Sequence, residues 1–195
     1  MSADPEPRLA PPGAGLPAVE RQVARLWLTI RRRFGTRRAW DARFAREQRA
    51  ILVQVSGCSA ETGARRVLIG RVPGLEDSSR FWSVWMTLEH LQIVNFALAD
   101  VIGSLTRGVV PDVVISTAAV KPRPDVGQEA IPAFEASCSR LSAVVADVPD
   151  LSTRARLAHP WFGPLDAASW YVLAGVHLGV HKVQIRRILT GMASG

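Results

Sequence analysis

Cysteine is almost absent from this chain of 195 residues, which contains only Cys58 and Cys138. Two cysteines so far apart in sequence do not provide the framework of a disulfide-rich secreted domain. The chain also has no apolar segment of the signal-peptide type near its start, so we expect a cytoplasmic location. Zinc-finger spacings, leucine-zipper heptads and aromatic RNA-binding motifs are missing as well, which disfavours a dedicated nucleic-acid-binding protein.

The sequence has little that could cross a membrane. Residues 81–105, "FWSVWMTLEHLQIVNFALADVIGSL", are long enough to span a bilayer. Polar side chains are nevertheless spread through the middle of this segment: Glu89, His90, Gln92, Asn95 and Asp100. Such groups are costly in lipid, so the segment predicts no membrane span and instead the central buried helix of a helical bundle.

The composition is that of a folded domain with one extension. Hydrophobic residues make up 48% and charged residues 21% of the chain, and its length suits a single core. Residues 1–16 contain four prolines and few large apolar side chains, so we predict a disordered tail there. We assign residues 17–36 to an arginine-rich helix and residues 37–195 to the main domain.

The positive charge is concentrated near the start of the chain. The net charge is +7, and ten arginines fall between Arg21 and Arg49. Such a run could attract phosphates or an anionic membrane. Apolar residues recur among the arginines at helical spacing: Val23, Leu26, Trp27, Ile30 and Phe34. We therefore favour a solvated arginine face on an amphipathic helix over nucleic-acid binding, and such a helix could also serve a homodimer interface.

Helical periodicity dominates the rest of the sequence and predicts an all-α fold. We predict helices over residues 17–34, ending at Gly35, then 37–56, 60–72, 79–106, 127–148 and, after a cap at Asp166, up to Met192. The segment "GVVPDVVISTAAVKPRPD" contains β-branched residues and three prolines, so it predicts an extended crossover. Four long helices with one long connection indicate a four-helix bundle, with the first helix packed outside it.

Two histidines in the last predicted helix are candidates for metal binding. His177 and His181 are four residues apart, so both lie on one helix face and can reach a common ion. His90 shares an inward face of the central helix with Met86. Histidines 90, 177 and 181 therefore form a candidate three-nitrogen metal site, and Met86 and Gln184 are candidates for the surrounding pocket or for contacts that support the ligands.

A non-metal interpretation remains open from the spacing alone. Buried imidazoles can also pack in a core and bond to backbone carbonyls or to Gln184. The pair is not a zincin motif, because Leu178 follows His177 where that motif has glutamate. Glu89 lies about 100° around the helix from His90, so it is no obvious general base. His159, in the "HPWFG" segment, is expected to have a role in a turn.

The segment "HPWFGPLDAASWYVLAGVHLGVHKVQIRRI" resembles a pattern of the DinB/YfiT-like superfamily of metalloenzymes. That pattern has His-Pro, aromatic residues, Phe-Gly, a capped helix with Trp, and then H-x-x-x-H followed by Gln. The segment "FWSVWMTLEHLQIV" resembles the family's earlier Trp-Ser pair and single histidine. The similarity covers roughly residues 40–192 and excludes the arginine-rich helix.

The resemblance implies a DinB-like four-helix bundle that binds a divalent ion, often nickel or zinc, through His90, His177 and His181. It implies a small-molecule substrate and a metal-dependent hydrolase or a transferase that uses a low-molecular-weight thiol. The alternative from a different class is a non-catalytic helical module with a vestigial site, whose arginine-rich helix binds a partner or nucleic acid. No catalytic residue is assigned, since fold does not fix function.

Overall fold

The computed structural model of the chain describes residues 7–193 and confirms an all-α protein. Its helices are α1 (Ala18–Phe34), α2 (Arg37–Val55), α3 (Ala60–Ala64), α4 (Val84–Thr106), α5 (Ala130–Ala146) and α6 (Ala167–Ala193). Four short strands accompany them: β1 (Val67–Leu68), β2 (Phe81–Trp82), β3 (Leu157–His159) and β4 (Gly163–Leu165). They form two antiparallel pairs, β1 with β2 and β3 with β4.

The four long helices α2, α4, α5 and α6 form the bundle, in which α4 contacts α5 and α6 while α2 contacts α6. Large side chains from each helix fill the core, among them Phe44, Trp85, Phe134 and Leu178, none more than 2% exposed. Removal of this apolar surface from water drives the assembly. Between α4 and α5, residues 107–129 contain no helix or strand and include the predicted crossover, residues 108–125.

Short polar side chains determine where the helices begin. The hydroxyl of Thr36 accepts the Ala39 amide at the start of α2, and that of Ser83 accepts the Met86 amide at the start of α4. The predicted cap of α6 is confirmed, because Asp166 Oδ1 accepts the Ser169 amide at 2.8 Å. Such caps satisfy amide groups that the helix leaves without partners.

Gly35 ends α1, as predicted. It has φ −81° and ψ 157°, which is extended backbone and not the left-handed conformation that glycine often adopts after a helix. A side chain at this position would collide with the Trp40 indole and the Arg31 carbonyl. Glycine is required for this close approach and not for its backbone angle.

Two predicted helix boundaries are wrong around the start of α4. The helix predicted over 60–72 stops at Ala64, and the one predicted from 79 begins at Val84. The residues between them pair as β1 and β2, with Val67 opposite Trp82. This ribbon directs the Trp82 ring toward the candidate histidines.

The segment predicted as a disordered tail makes contacts where the structure describes it. The Ala10 amide donates to Asp77 Oδ2 at 2.8 Å, and the Leu16 side chain is only 7% exposed. Residues 1–6 of that predicted tail lie outside the described residues. The acceptor carboxylates near residue 76, which sequence composition does not reveal, hold the segment against the bundle.

The predicted orientation of α1 is wrong, because its apolar side faces outward. Its exposed large side chains are Val19 (78%), Val23 (62%), Leu26 (63%), Ile30 (46%) and Phe34 (79%). On the opposite side, the Arg25 guanidinium donates to the Trp161 carbonyl, and Arg32 pairs with Asp166 at 2.8 Å. The bundle offers these arginines fixed acceptors, so polar contacts together with the buried Leu28 side chain attach α1, and the exposed apolar residues do not.

No helix within residues 7–193 combines the length and the apolar character needed to span a bilayer. This includes α4, the segment whose polar residues argued against a membrane span.

Two leucines in α1 provide a matched test of its orientation. Leu28 is 5% exposed and Leu26 is 63% exposed. Leu28→Ala should lower the free energy of unfolding by about 2 kcal/mol or more, because it leaves a cavity. Leu26→Ala should change that free energy by no more than about 0.5 kcal/mol. Urea denaturation of both variants measures the difference, and the reverse order would mean that α1 packs by its apolar side.

Candidate metal centre

The structure brings the three predicted histidines together between α4 and α6. His90 Nε2 lies 3.1 Å from His177 Nε2, which in turn lies 3.0 Å from His181 Nε2. Candidate ligand atoms of all three residues fall within 4.8 Å of one another. His90 and His181 are 7% and 3% exposed, and His177 is half-buried.

The crossover fixes the tautomer of His90. Its Nδ1 lies 2.7 Å from the Val120 carbonyl, which can only accept, so Nδ1 carries the proton and donates. The Nε2 atom of the neutral ring then has a free lone pair directed at the other two histidines. A backbone carbonyl thus positions this imidazole, in the manner usual for metal-binding histidines.

Gln184 fixes the tautomer of His181 in the same way. The Gln184 amide nitrogen donates to the Ser79 carbonyl at 2.7 Å, which leaves its oxygen facing His181 Nδ1 at 2.6 Å. His181 therefore donates from Nδ1 and also presents a free lone pair on Nε2. Gln184, predicted as a pocket residue, contacts the candidate centre through this bond.

Neither tautomer of His177 satisfies all the nitrogen atoms of the three histidines. Its Nδ1 is buried and has no hydrogen-bond partner within the described chain. If His177 carries its proton on Nε2, this single hydrogen faces the Nε2 lone pairs of both His90 and His181. If the proton is on Nδ1 instead, three Nε2 lone pairs converge, and the buried Nδ1–H group has no acceptor. Either state is costly, since an unsatisfied buried polar group costs about 1 to 3 kcal/mol.

A divalent ion fits this donor set. Three neutral imidazole lone pairs converge, and a cation between them would relieve the repulsion that no proton arrangement removes. Zinc–nitrogen bonds of about 2.0 to 2.1 Å place tetrahedral ligand nitrogens about 3.3 Å apart. The observed separations of 3.0 and 3.1 Å are close to that spacing.

Burial keeps the three rings neutral. It lowers the pKa of His90 to about 4, although the Val120 carbonyl favours the charged form. Burial also lowers the pKa values of His177 and His181 well below 6.5, and the neighbouring histidines lower them further. Neutral imidazole is the form that binds metal ions.

Trp82 and Lys121 lie beside the histidines. The Trp82 ring stacks on His181 with centroids 6.3 Å apart and planes 6° apart. The Lys121 Nζ lies 5.2 Å from the Trp82 ring centroid and 3.0 Å from Glu76 Oε2. Because Glu76 neutralises this lysine, the centre does not face an unpaired positive charge.

Two carboxylates hold the crossover over the centre. Burial alone would raise the pKa of Glu76, but hydrogen bonds from Lys121 and Thr117 lower it overall, so the group stays charged. Glu89 accepts the Arg123 amide at 2.6 Å and its guanidinium at 2.7 Å. Glu89 is thus bound to the crossover through Arg123.

A cavity of about 320 Å³ opens onto the histidines, and its walls are mostly apolar. They include Val94, Leu98, Ile115, Phe162 and Leu173. Met86, the other predicted pocket residue, is buried in the core and is not among the residues that line this cavity. The space suits a small organic molecule more than an ion with its full hydration shell.

His159 has the predicted turn role and a position that sequence reasoning missed. Its Nδ1 accepts the Trp161 amide at 3.0 Å between β3 and β4, and its ring also lines the cavity. The neutral ring therefore carries its proton on Nε2. The "HPWFG" segment was a signal in the sequence that could have pointed to His159 as a cavity residue. No signal in the sequence pointed to the Val120 carbonyl or to Lys121.

Comparison with known proteins supports the architecture. No protein-family model and no curated protein matches the sequence. A solved structure described as TT2238, a four-helix bundle protein, aligns with a TM-score of 0.55 and 19% sequence identity. The alignment covers 75% of this chain and 98% of that chain, and at this identity it shows the fold alone.

Metal-free protein should lose stability between pH 6.5 and 5. In that range an unfolded histidine, with a pKa near 6.5, binds a proton that buried His90, with a pKa of about 4, does not. As the pH is lowered through this range, the free energy of unfolding should therefore decrease by about 1.4 kcal/mol per pH unit for each such histidine. Urea denaturation of chelator-treated protein across this range is the measurement. A flat profile would contradict buried neutral imidazoles, because carboxylates titrate mainly below this window.

Proposed function

We propose that the protein binds a divalent metal ion through the Nε2 atoms of His90, His177 and His181. The observation that carries this proposal is the convergence of the three Nε2 atoms: Val120 and Gln184 fix the tautomers of His90 and His181, so two lone pairs face His177 Nε2 and no proton arrangement satisfies them all. A cation supplies what the hydrogen-bond network lacks. The similarity to the DinB/YfiT-like superfamily supports the same three residues and favours nickel or zinc.

We further propose that the centre acts on a small, largely apolar molecule. The apolar cavity walls support this substrate class, and the proposed reactions are metal-dependent hydrolysis or an S-transfer that depends on a low-molecular-weight thiol. When bound, such an ion would supply Lewis-acid chemistry. His159 can donate a hydrogen bond from Nε2 to a substrate in the cavity, and the apolar walls exclude water.

A non-catalytic module with a vestigial site is the alternative, but one observation weakens it. Arg25 and Arg32 of α1 bind the Trp161 carbonyl and Asp166 of the same chain. These two arginines are therefore not available for phosphates of a nucleic acid without loss of bonds that attach α1.

Metal binding can be tested on untagged protein supplied with nickel or zinc. Wild type should retain about one ion per chain after gel filtration, whereas His177→Ala should retain little, because a two-histidine site lacks the third ligand that such centres require. Elemental analysis gives the stoichiometry.

His159→Ala is the matched control, since it removes the fourth histidine from the same cavity but no proposed ligand. It should bind metal as wild type does. Wild type that binds no stoichiometric ion, or His177→Ala that binds as tightly as wild type, would overturn the assignment. Circular dichroism spectra confirm that each variant is folded.

Gln184 should contribute to metal affinity without touching the ion. Gln184→Ala removes the acceptor that orients His181, and loss of such a partner typically weakens metal binding about 10- to 100-fold. Competition with a chromophoric chelator measures the affinity. Gln54→Ala in α2 removes the same side chain from a residue with no hydrogen bond to a histidine in the described chain, so its affinity should be unchanged. Equal affinities of the two variants would contradict the role of Gln184.

A further inference from the structure

A second cavity of about 280 Å³ lies between α1, α2 and α6, separate from the histidine centre. On α6 it is lined by Tyr171 and Gly175, whereas Val176 and His177 line the histidine cavity. At about 100° per residue these two pairs point to opposite faces of α6. The two cavities share no lining residue.

Three arginines and no carboxylate line this second cavity. Arg46 pairs with Glu47 at 3.0 Å, but the same carboxylate also binds Lys182. In the described part of the chain, Arg31 and Arg43 have no carboxylate hydrogen-bonded to them. The cavity therefore carries an excess of positive charge that the protein does not neutralise itself.

Arg43 lies deepest in this cluster. Its Nε donates to the Gly175 carbonyl at 3.3 Å, and a side chain at Gly175 would contact the Arg43 stem. Burial lowers the pKa of Arg43, the charges of Arg31 and Arg46 lower it further, and Glu47 opposes them. A bound anion would stabilise a half-buried guanidinium that has two others beside it.

Aromatic rings form the rest of the wall. The guanidinium carbons of Arg31 and Arg43 lie 5.0 and 5.3 Å from the Trp27 ring centroid. Trp40 and Tyr171 also line the cavity, and the Trp40 indole donates to the Arg31 carbonyl at 3.3 Å. These contacts hold flat apolar surfaces next to the positive charges, an arrangement suited to a flat ligand with an anionic group.

We propose that this cavity binds a small aromatic acid anion, with its carboxylate on Arg31 and Arg43 and its ring among Trp27, Trp40 and Tyr171. The volume lies just below the range of about 300 to 1,000 Å³ typical of sites for drug-sized ligands, so it suits one or two rings. This site is independent of the metal centre, and either can exist without the other.

The test uses 1-naphthoate as the probe and isothermal titration calorimetry on the full chain. Wild type should bind the probe with an affinity that falls as sodium chloride is added. The uncharged analogue 1-naphthalenemethanol and acetate, which lacks the rings, should each bind at least about tenfold more weakly. Arg43→Gln and Arg31→Gln should each weaken naphthoate binding about tenfold or more, because a charge-assisted hydrogen bond is lost.

Two variants serve as controls. Arg49→Gln removes an exposed α2 arginine outside the cavity, and His177→Ala alters the histidine cavity, whose apolar walls could also accept naphthoate. Both should bind as wild type does. Any of three outcomes would overturn the proposal. These are loss of naphthoate binding in His177→Ala, wild-type affinity in both Arg31→Gln and Arg43→Gln, and no binding by wild type at millimolar probe. If Arg43→Gln is unfolded by circular dichroism, Arg31→Gln decides, because its side chain is exposed.

Discussion

A buried neutral imidazole needs an acceptor for its N–H group, and this requirement organises the region around the histidines. His90 and His181 obtain their acceptors from the Val120 carbonyl and the Gln184 amide. Gln184 can serve only because the Ser79 carbonyl holds its other end. The nitrogen atoms therefore converge only when three segments that are distant in sequence are in place together. These segments are the crossover, the residues that precede β2, and helix α6.

The crossover could supply Val120 only if its backbone were fixed, although it contains no helix or strand. Glu76 and Glu89 provide the fixation through Lys121 and Arg123, which follow Val120 closely in the chain. Such ion pairs, with one buried carboxylate each, add little net stability because desolvation offsets their attraction. Their effect is to select one conformation of a long loop, which is the property the histidine hydrogen bond requires.

Sequence periodicity predicted which side chains share a face of one helix. It did not predict the features that depend on contacts between distant segments. The four-residue spacing placed His177 and His181 on one face, and the apolar character of α4 placed His90 inward. The Val120 carbonyl could not be found, because a backbone group has no sequence signature. The orientation of α1 could not be found either: amphipathicity separates two faces, but the Arg32 pair with Asp166, 134 residues away, decides which face turns inward.

The orientation of α1 is consistent with the distribution of charge around α6. Among the described residues that line the histidine cavity, Lys121 is the one lysine or arginine, and it forms an ion pair with Glu76. An unpaired arginine there would oppose a cation. The opposite face of α6 carries small residues, Gly175 and Gly179, across which Arg43 lies. The helix thus separates a neutral, nitrogen-lined cavity from a basic one, and the proposed cation and anion sites lie on opposite faces of α6.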